Sequence, residues 1–140
     1  KVVAQFGSDL EGKSFALWGL AFKPETDDIR GAPAITIARH LCERGAKVVA
    51  CDPQAIEVSK EALAGLAVDY VDDPYQATEN ADALIVVTEW RQFKQPDFRR
   101  LSKQLRSKTI FDGRNIYNPA RCTDYGLSYI GIGRSSALST

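Results

Sequence analysis

Short apolar runs alternate with amphipathic stretches along almost the whole of this chain. Ser14 to Leu20 is nearly continuous in apolar residues, as expected of a strand covered on both faces. Pro33 opens a helix where its missing N–H costs nothing; Ala34, Ile37, Ala38 and Leu41 share one face of it, and Gly45 ends it. Lys47 to Cys51 reads as a second strand, Glu57 to Ala64 as a second helix, and Ala67 to Val71 as a weaker third strand. Asp73-Pro74 starts a short helix running to Asn80, and Ala83 to Thr88 is the most apolar strand. A helix over Phe98 to Leu105 and strands over Thr109 to Asp112 and Ser128 to Ile132 complete the pattern. Such alternation implies a parallel sheet with helices on both faces. The predicted fold is α/β: a Rossmann-like three-layer sandwich, its parallel sheet of about six strands ordered 3-2-1-4-5-6.

Residues 13–134 are expected to form the body, 135–140 a flexible tail, and 1–12 the end of an incoming helix or linker. Lys1 to Gly12 admits two readings. One is the last turns of a helix with Val2, Val3 and Phe6 as its apolar stripe and Gly7 as terminator; the other is a disordered leader. The chain has no Met among its 140 residues, so it is expected to be a piece of something longer.

Charge and cysteine usage narrow the function classes. With 18 Lys+Arg against 18 Asp+Glu there is no net positive field to gather nucleic acid or an anionic membrane. No apolar run is long enough to span a bilayer, and the first residues lack the pattern of a secretory signal. Cys42, Cys51 and Cys122 are odd in number and include no Cys-x-x-Cys pair, so neither a disulfide framework nor a structural zinc site is expected. A reducing, cytoplasmic setting follows.

In a sheet of this order ligands bind beyond the carboxyl ends of the strands, near the point where the order reverses. That rule selects the loop after the first strand, Asp52-Pro53, Thr88 to Arg91, and Asp112 to Asn115. The first loop runs from Gly19 to Pro33 and contains no Gly-x-Gly-x-x-Gly, so it is not a dinucleotide fingerprint. It carries two cations, Lys23 and Arg30, suited to a phosphate ligand at the sheet's mouth. Composition alone favours the plainer reading, in which both simply pair with Glu25, Asp27 and Asp28.

The full string Gly-Leu-Ala-Phe-Lys-Pro-Glu-Thr-Asp-Asp-Ile-Arg, followed by Ala32-Pro33, resembles the start of the UDP-binding domain of the UDP-glucose/GDP-mannose dehydrogenase family. The resemblance continues through Val87-Thr88-Glu89-Trp90 with Phe93, Phe111-Asp112-Gly113-Arg114-Asn115-Ile116-Tyr117, and Tyr129-x-Gly-x-Gly-Arg134. It covers the chain from about Phe6 to Arg134, and its forms are most similar to the members that oxidise UDP-glucose. Members acting on UDP-N-acetylhexosamines or GDP-mannose are the alternative. A non-catalytic nucleotide-binding module is a reading from another class. A receiver-type signalling domain is excluded, because it would need acids after the first strand where Gly-Leu-Ala-Phe-Lys stands.

The resemblance implies a C-terminal domain of an oxidoreductase that converts UDP-glucose to UDP-glucuronate with two NAD⁺. It implies that NAD is held mainly by an absent N-terminal domain, that an absent central domain builds a homo-oligomer, and that the catalytic Cys lies outside this chain. Matched position by position, Phe22, Lys23 and Arg114 are substrate-binding and Arg30 is cofactor-binding, reaching NAD on the other domain. No metal is expected.

Other residues have blander readings. Asp52 is expected to cap the helix after Pro53. His40 is expected on a solvated helix face, and Asp27-Asp28 in turn caps or ion pairs. Glu89 and Trp90 are left between substrate contact and loop packing. Asp112 is expected to fix the turn presenting Arg114, with Gly113 giving backbone freedom. Arg99, Arg100, Lys103, Arg106 and Lys108 read as a solvated face.

Overall fold

In a computed structural model of the chain, the structure describes residues 2–131. Six strands form one parallel sheet: β1 (Ser14–Trp18), β2 (Lys47–Cys51), β3 (Val68–Tyr70), β4 (Ala83–Val86), β5 (Thr109–Asp112) and β6 (Ser128–Gly131). Their order is β3-β2-β1-β4-β5-β6, as the alternation pattern predicts. The helices are α1 (Val2–Phe6), α2 (Pro33–Glu43), α3 (Ile56–Ala62), α4 (Pro74–Thr78), α5 (Arg91–Lys94), α6 (Phe98–Gln104) and α7 (Pro119–Asp124). The predicted tail and the Gly133-Arg134 end of the last motif lie outside the described residues, as does Ile132.

Successive strand residues point to opposite faces, and this period-two rule divides the core in two. Phe15, Leu17, Val48, Ala50, Ile85 and Phe111 face one side, where Ala34, Ala38 and Leu41 of α2 cover them. Ala16, Trp18, Leu84, Val86, Ile110 and Tyr129 face the other, beneath Ala77, Phe93, Phe98, Leu101 and Cys122. Trp18 is the centre of the second layer. It stacks on Phe93 at 5.2 Å, meets Tyr75 edge-on at 5.7 Å, and donates from Nε1 to the Pro74 carbonyl at 2.9 Å.

This division follows from handedness. Right-handed crossovers put helices on one face while the chain steps from β1 out to β3, and on the other as it steps from β4 to β6. The α2 side of β4–β6 therefore has no crossover helix of its own. There Val2 and Phe6 of α1 pack against the core, with Phe6 set edge-on to Phe15 at 5.4 Å, while Val3 stays exposed. Between α1 and α2 lies an apolar cavity of about 370 Å³ with Ile85, Val87 and Phe111 in its lining and His40 and Arg114 among its polar borders.

Local chemistry sets most element ends. Pro33 does open α2, and Gly45 follows it at φ +97°. Asp73 caps α4 through the Tyr75 N–H, and Asn118 caps α7 through Ala120 and Arg121. Two helices, α5 and α7, lie outside the expected pattern; Asn118-Pro119 is the sequence signal for the second. The first strand ends two residues earlier than predicted, because Gly19 turns at φ +106° directly after Trp18. Leu20 is nonetheless fully buried, which is why the apolar run outlasts the strand.

Gly19 tests this account. A Cβ there would meet the Thr88 side chain at 2.4 Å, whereas at Gly31, also at positive φ, nothing lies within 4 Å. Gly19→Ala is expected to cost about 2–5 kcal/mol from backbone strain plus overpacking. Gly31→Ala should cost only the strain, about 1–2 kcal/mol. Urea unfolding of the two variants measures the difference.

Candidate functional site

The order reversal falls between β1 and β4, so the crevice beyond their carboxyl ends is the expected ligand position. Three segments meet there: the loop after β1, the segment Val87–Trp90 after β4, and the turn after β5. Gly19 N–H donates to the Cys51 carbonyl at 2.8 Å and Val87 N–H to the Trp18 carbonyl at 3.0 Å, which carries sheet pairing just past the strand ends.

From there the loop is held residue by residue. The Leu20 and Ala21 N–H groups donate to Asp52 Oδ2 at 2.8 and 3.1 Å. Thr88 Oγ1 donates to the Ala21 carbonyl at 2.8 Å. Phe22 N–H donates to the Asp28 carbonyl at 2.8 Å, and Arg114 Nη2 donates to the Phe22 carbonyl at 2.7 Å. Lys23 follows directly. It is exposed and makes no hydrogen bond or ion pair among the described residues. The Phe22 ring beside it is 46% exposed, the largest exposure of a bulky apolar side chain among the described residues.

Arg114 is half-buried and fixed from both ends. Its N–H donates to Asp112 Oδ1 at 3.0 Å, and its Nε donates to the Val87 carbonyl at 3.1 Å. Nη1 is left without an acceptor among the described residues. Asp112 Oδ2 accepts from Tyr117 N–H and Tyr129 Oη, both at 2.9 Å. Asp112 thus does set the turn that presents Arg114. Gly113 does so for a different reason from the one predicted: its φ is not positive, and a Cβ would lie 3.0 Å from the Val86 carbonyl oxygen. Asn115 takes the left-handed conformation instead, at φ +55°.

The structure therefore brings Phe22, Lys23 and Arg114 to one mouth. Arg30 stands apart, joined to this group only through Asp28. Its guanidinium is bidentate on that carboxylate at 3.0 Å, with 91% of the side chain exposed. The hydrogen bonds from Arg30 hold the Asp28 carboxyl below its ordinary 3.8, at about 2, with Lys23 adding to the pull.

Asp52 corrects the cap reading. Its Oδ1 takes the Gln54 and Ala55 N–H groups at 2.9 and 2.8 Å, but Ala55 itself occupies the position before α3. Oδ2 serves the first loop and the Trp90 Nε1 at 3.1 Å. Trp90 is thereby buried packing that holds the loop. An acid following β2 next to the switch point, with a Trp two strands away needing an acceptor, is the signal the sequence carries. His40 is exposed, and so are the five cations of the basic run around α6.

The three thiols are free. Burial pushes Cys51 and Cys122 up to about 12, and burial also raises the half-buried Cys42. None lines the cavity, and each is held in its unreactive protonated form. Among the described residues no group of three His, Cys, Asp or Glu could hold a metal ion, and no helix is long and apolar enough to cross a membrane.

Two measurements check these electrostatics. Asp28 titrates low, so its ion pair is intact above about pH 4 and is lost as pH falls through about 2. The Asp28 carboxyl carbon should show that low midpoint by NMR, and Arg30→Ala should return it towards the ordinary value. Ellman's reagent should leave Cys51 and Cys122 untouched in the native chain and label both in denaturant.

Comparison with known proteins gives the chain's family. The model for the UDP-glucose/GDP-mannose dehydrogenase family, UDP binding domain, matches residues 16–119. The UDP-glucose 6-dehydrogenase of Pseudomonas aeruginosa is 47% identical over 91% of this chain and 29% of its own length. That of Rhizobium meliloti is 41% identical over 96% of this chain and 30% of its own. Among solved structures, a UDP-glucose dehydrogenase from Pyrobaculum islandicum superposes with a TM-score of 0.77 at 32% identity, covering 95% of this chain and 28% of that one. An NDP-N-acetyl-D-galactosaminuronic acid dehydrogenase from Methanosarcina mazei also reaches 0.77, at 26% identity, covering 95% of this chain and 27% of that one. The chain spans about 30% of the length of these two curated relatives. On sequence and fold, this chain belongs to the UDP-glucose/GDP-mannose dehydrogenase family, as its UDP-binding domain.

Proposed function

We propose that this chain supplies the UDP-sugar half-site of an NAD-dependent UDP-glucose 6-dehydrogenase and carries no catalytic group of its own. The observation that bears most weight is the placing of Lys23 and Arg114 from two strand ends beside the exposed Phe22 ring. A UDP-sugar presents two negative charges on its diphosphate and a flat uracil. An exposed ammonium, the open Nη1 of a fixed guanidinium and an aromatic face are the matching groups.

NAD does not fit here as a resident dinucleotide. The long first loop replaces the tight glycine turn, and Asp52, which would take a ribose, already accepts five N–H donors. NAD belongs to another part of the whole protein, towards which the exposed Arg30 would reach. The catalytic thiol belongs there too, since the three thiols of this chain are buried or half-buried and kept protonated. The free thiols suit a reducing, cytoplasmic setting, and subunit assembly of the whole enzyme rests on its other domains.

NMR titration of the 140-residue chain tests the half-site. UDP-glucose should give saturable shifts at Phe22, Lys23 and Arg114 with a dissociation constant of about 1 mM, weakened about tenfold by Lys23→Ala. NAD⁺ should leave those residues unmoved. Tighter, selective binding of GDP-mannose or a UDP-N-acetylhexosamine would transfer the chain to that branch of the family. Silence with every nucleotide sugar up to roughly 20 mM would overturn the half-site.

A further inference from the structure

Asp52 is 4% exposed and has no cationic partner within ion-pair distance among the described residues. A buried carboxylate of this kind is tolerated only when its lone pairs are filled, and here five N–H groups fill them. The donors come from three places. Gln54 and Ala55 belong to its own turn, Leu20 and Ala21 to the loop after β1, and Trp90 to the segment after β4. The loop and the β4 segment flank the crevice at the order reversal. Asp52 itself is buried and saturated by these donors, so it acts on the crevice through the two segments.

We infer that Asp52 is the positioning residue of the UDP-sugar site, acting through Leu20–Ala21 on Phe22–Lys23 and through Trp90 on the segment that binds Arg114. This rests on the reading of the mouth as a UDP-sugar site. The first route is short: Ala21 precedes Phe22, whose carbonyl is bonded to Arg114. The second also returns to Arg114, because Val87, three residues before Trp90, accepts its Nε. The loop that bears Lys23 and the β4 segment that holds Arg114 are thus both referenced to one carboxylate at the end of β2. It needs oxygen on both sides. In an Asp52→Asn chain, whichever way the amide turns, its NH₂ faces at least two N–H donors.

The test compares Asp52→Asn and Trp90→Phe with the native 140-residue chain, well below their unfolding midpoints and with circular dichroism as the check on folding. Before any ligand is added, the Leu20 and Ala21 amides should lose protection from hydrogen exchange at least tenfold in both variants. In Asp52→Asn the Trp90 indole N–H resonance should shift, because a neutral amide replaces the charged acceptor whichever way it turns. Amides of α6 and α7 should stay as they are. UDP-glucose should then bind at least tenfold more weakly to Asp52→Asn and several-fold more weakly to Trp90→Phe. Folded variants with native exchange at Leu20 and Ala21 and native affinity would overturn the inference. If Asp52→Asn does not fold, Trp90→Phe decides the same question. If the native chain ignores UDP-glucose, the half-site reading fails, and exchange in the ligand-free variants still decides whether Asp52 positions the loop.

Discussion

Two buried carboxylates at the ends of strands hold the mouth of this sheet. Asp52 closes β2 and Asp112 closes β5, and each accepts main-chain N–H groups from the turn that follows it. Each then spends its second oxygen on a distant element: Asp52 on the first loop and Trp90, Asp112 on Tyr129 of the neighbouring strand. Without those acceptors the loop amides would be buried and unsatisfied, a cost of about 1–3 kcal/mol for each group. The loop geometry therefore depends on acids that never need to touch a ligand.

Cations are sorted by the same arrangement. Arg114 is consumed in part by the Val87 and Phe22 carbonyls, which fixes its plane and leaves one end open. Arg30 is neutralised on the spot by Asp28, two residues away and fully compatible with an exposed turn. Lys23 alone of the three has a side chain without a hydrogen bond or ion pair among the described residues. A fixed guanidinium and a free ammonium are different tools for a diphosphate. The first offers direction and the second adjusts, and the order of the strands brings them to one edge.

Much of the fold was legible along the chain. The two-residue alternation of Phe15, Leu17 against Ala16, Trp18 already contains the division of the core, and Pro33, Gly45 and Asp73 mark element ends by their own backbone chemistry. Parallel order then follows from crossover handedness. The site was legible in part. Phe22, Lys23 and Arg114 come to the same mouth of the sheet, yet nothing local reveals that Arg114 is bonded to the Phe22 carbonyl. Gly113 was misread because a glycine's two uses, positive φ and close approach, look alike in a sequence.

Range separates the two kinds of knowledge. Caps, turns and strand faces involve residues within about one helical turn of each other, so the order of side chains along the chain is enough to specify them. The bonds that shape the site span far more chain: 32 residues from Leu20 to Asp52, 38 from Asp52 to Trp90, and 92 from Phe22 to Arg114. Whether Asp52 caps a helix or anchors a loop, and whether a given cation is free or paired, depends on which strand ends become neighbours. That is set only when the six strands assemble, because hydrogen bonds and ion pairs act over a few ångströms of space and are indifferent to distance along the chain.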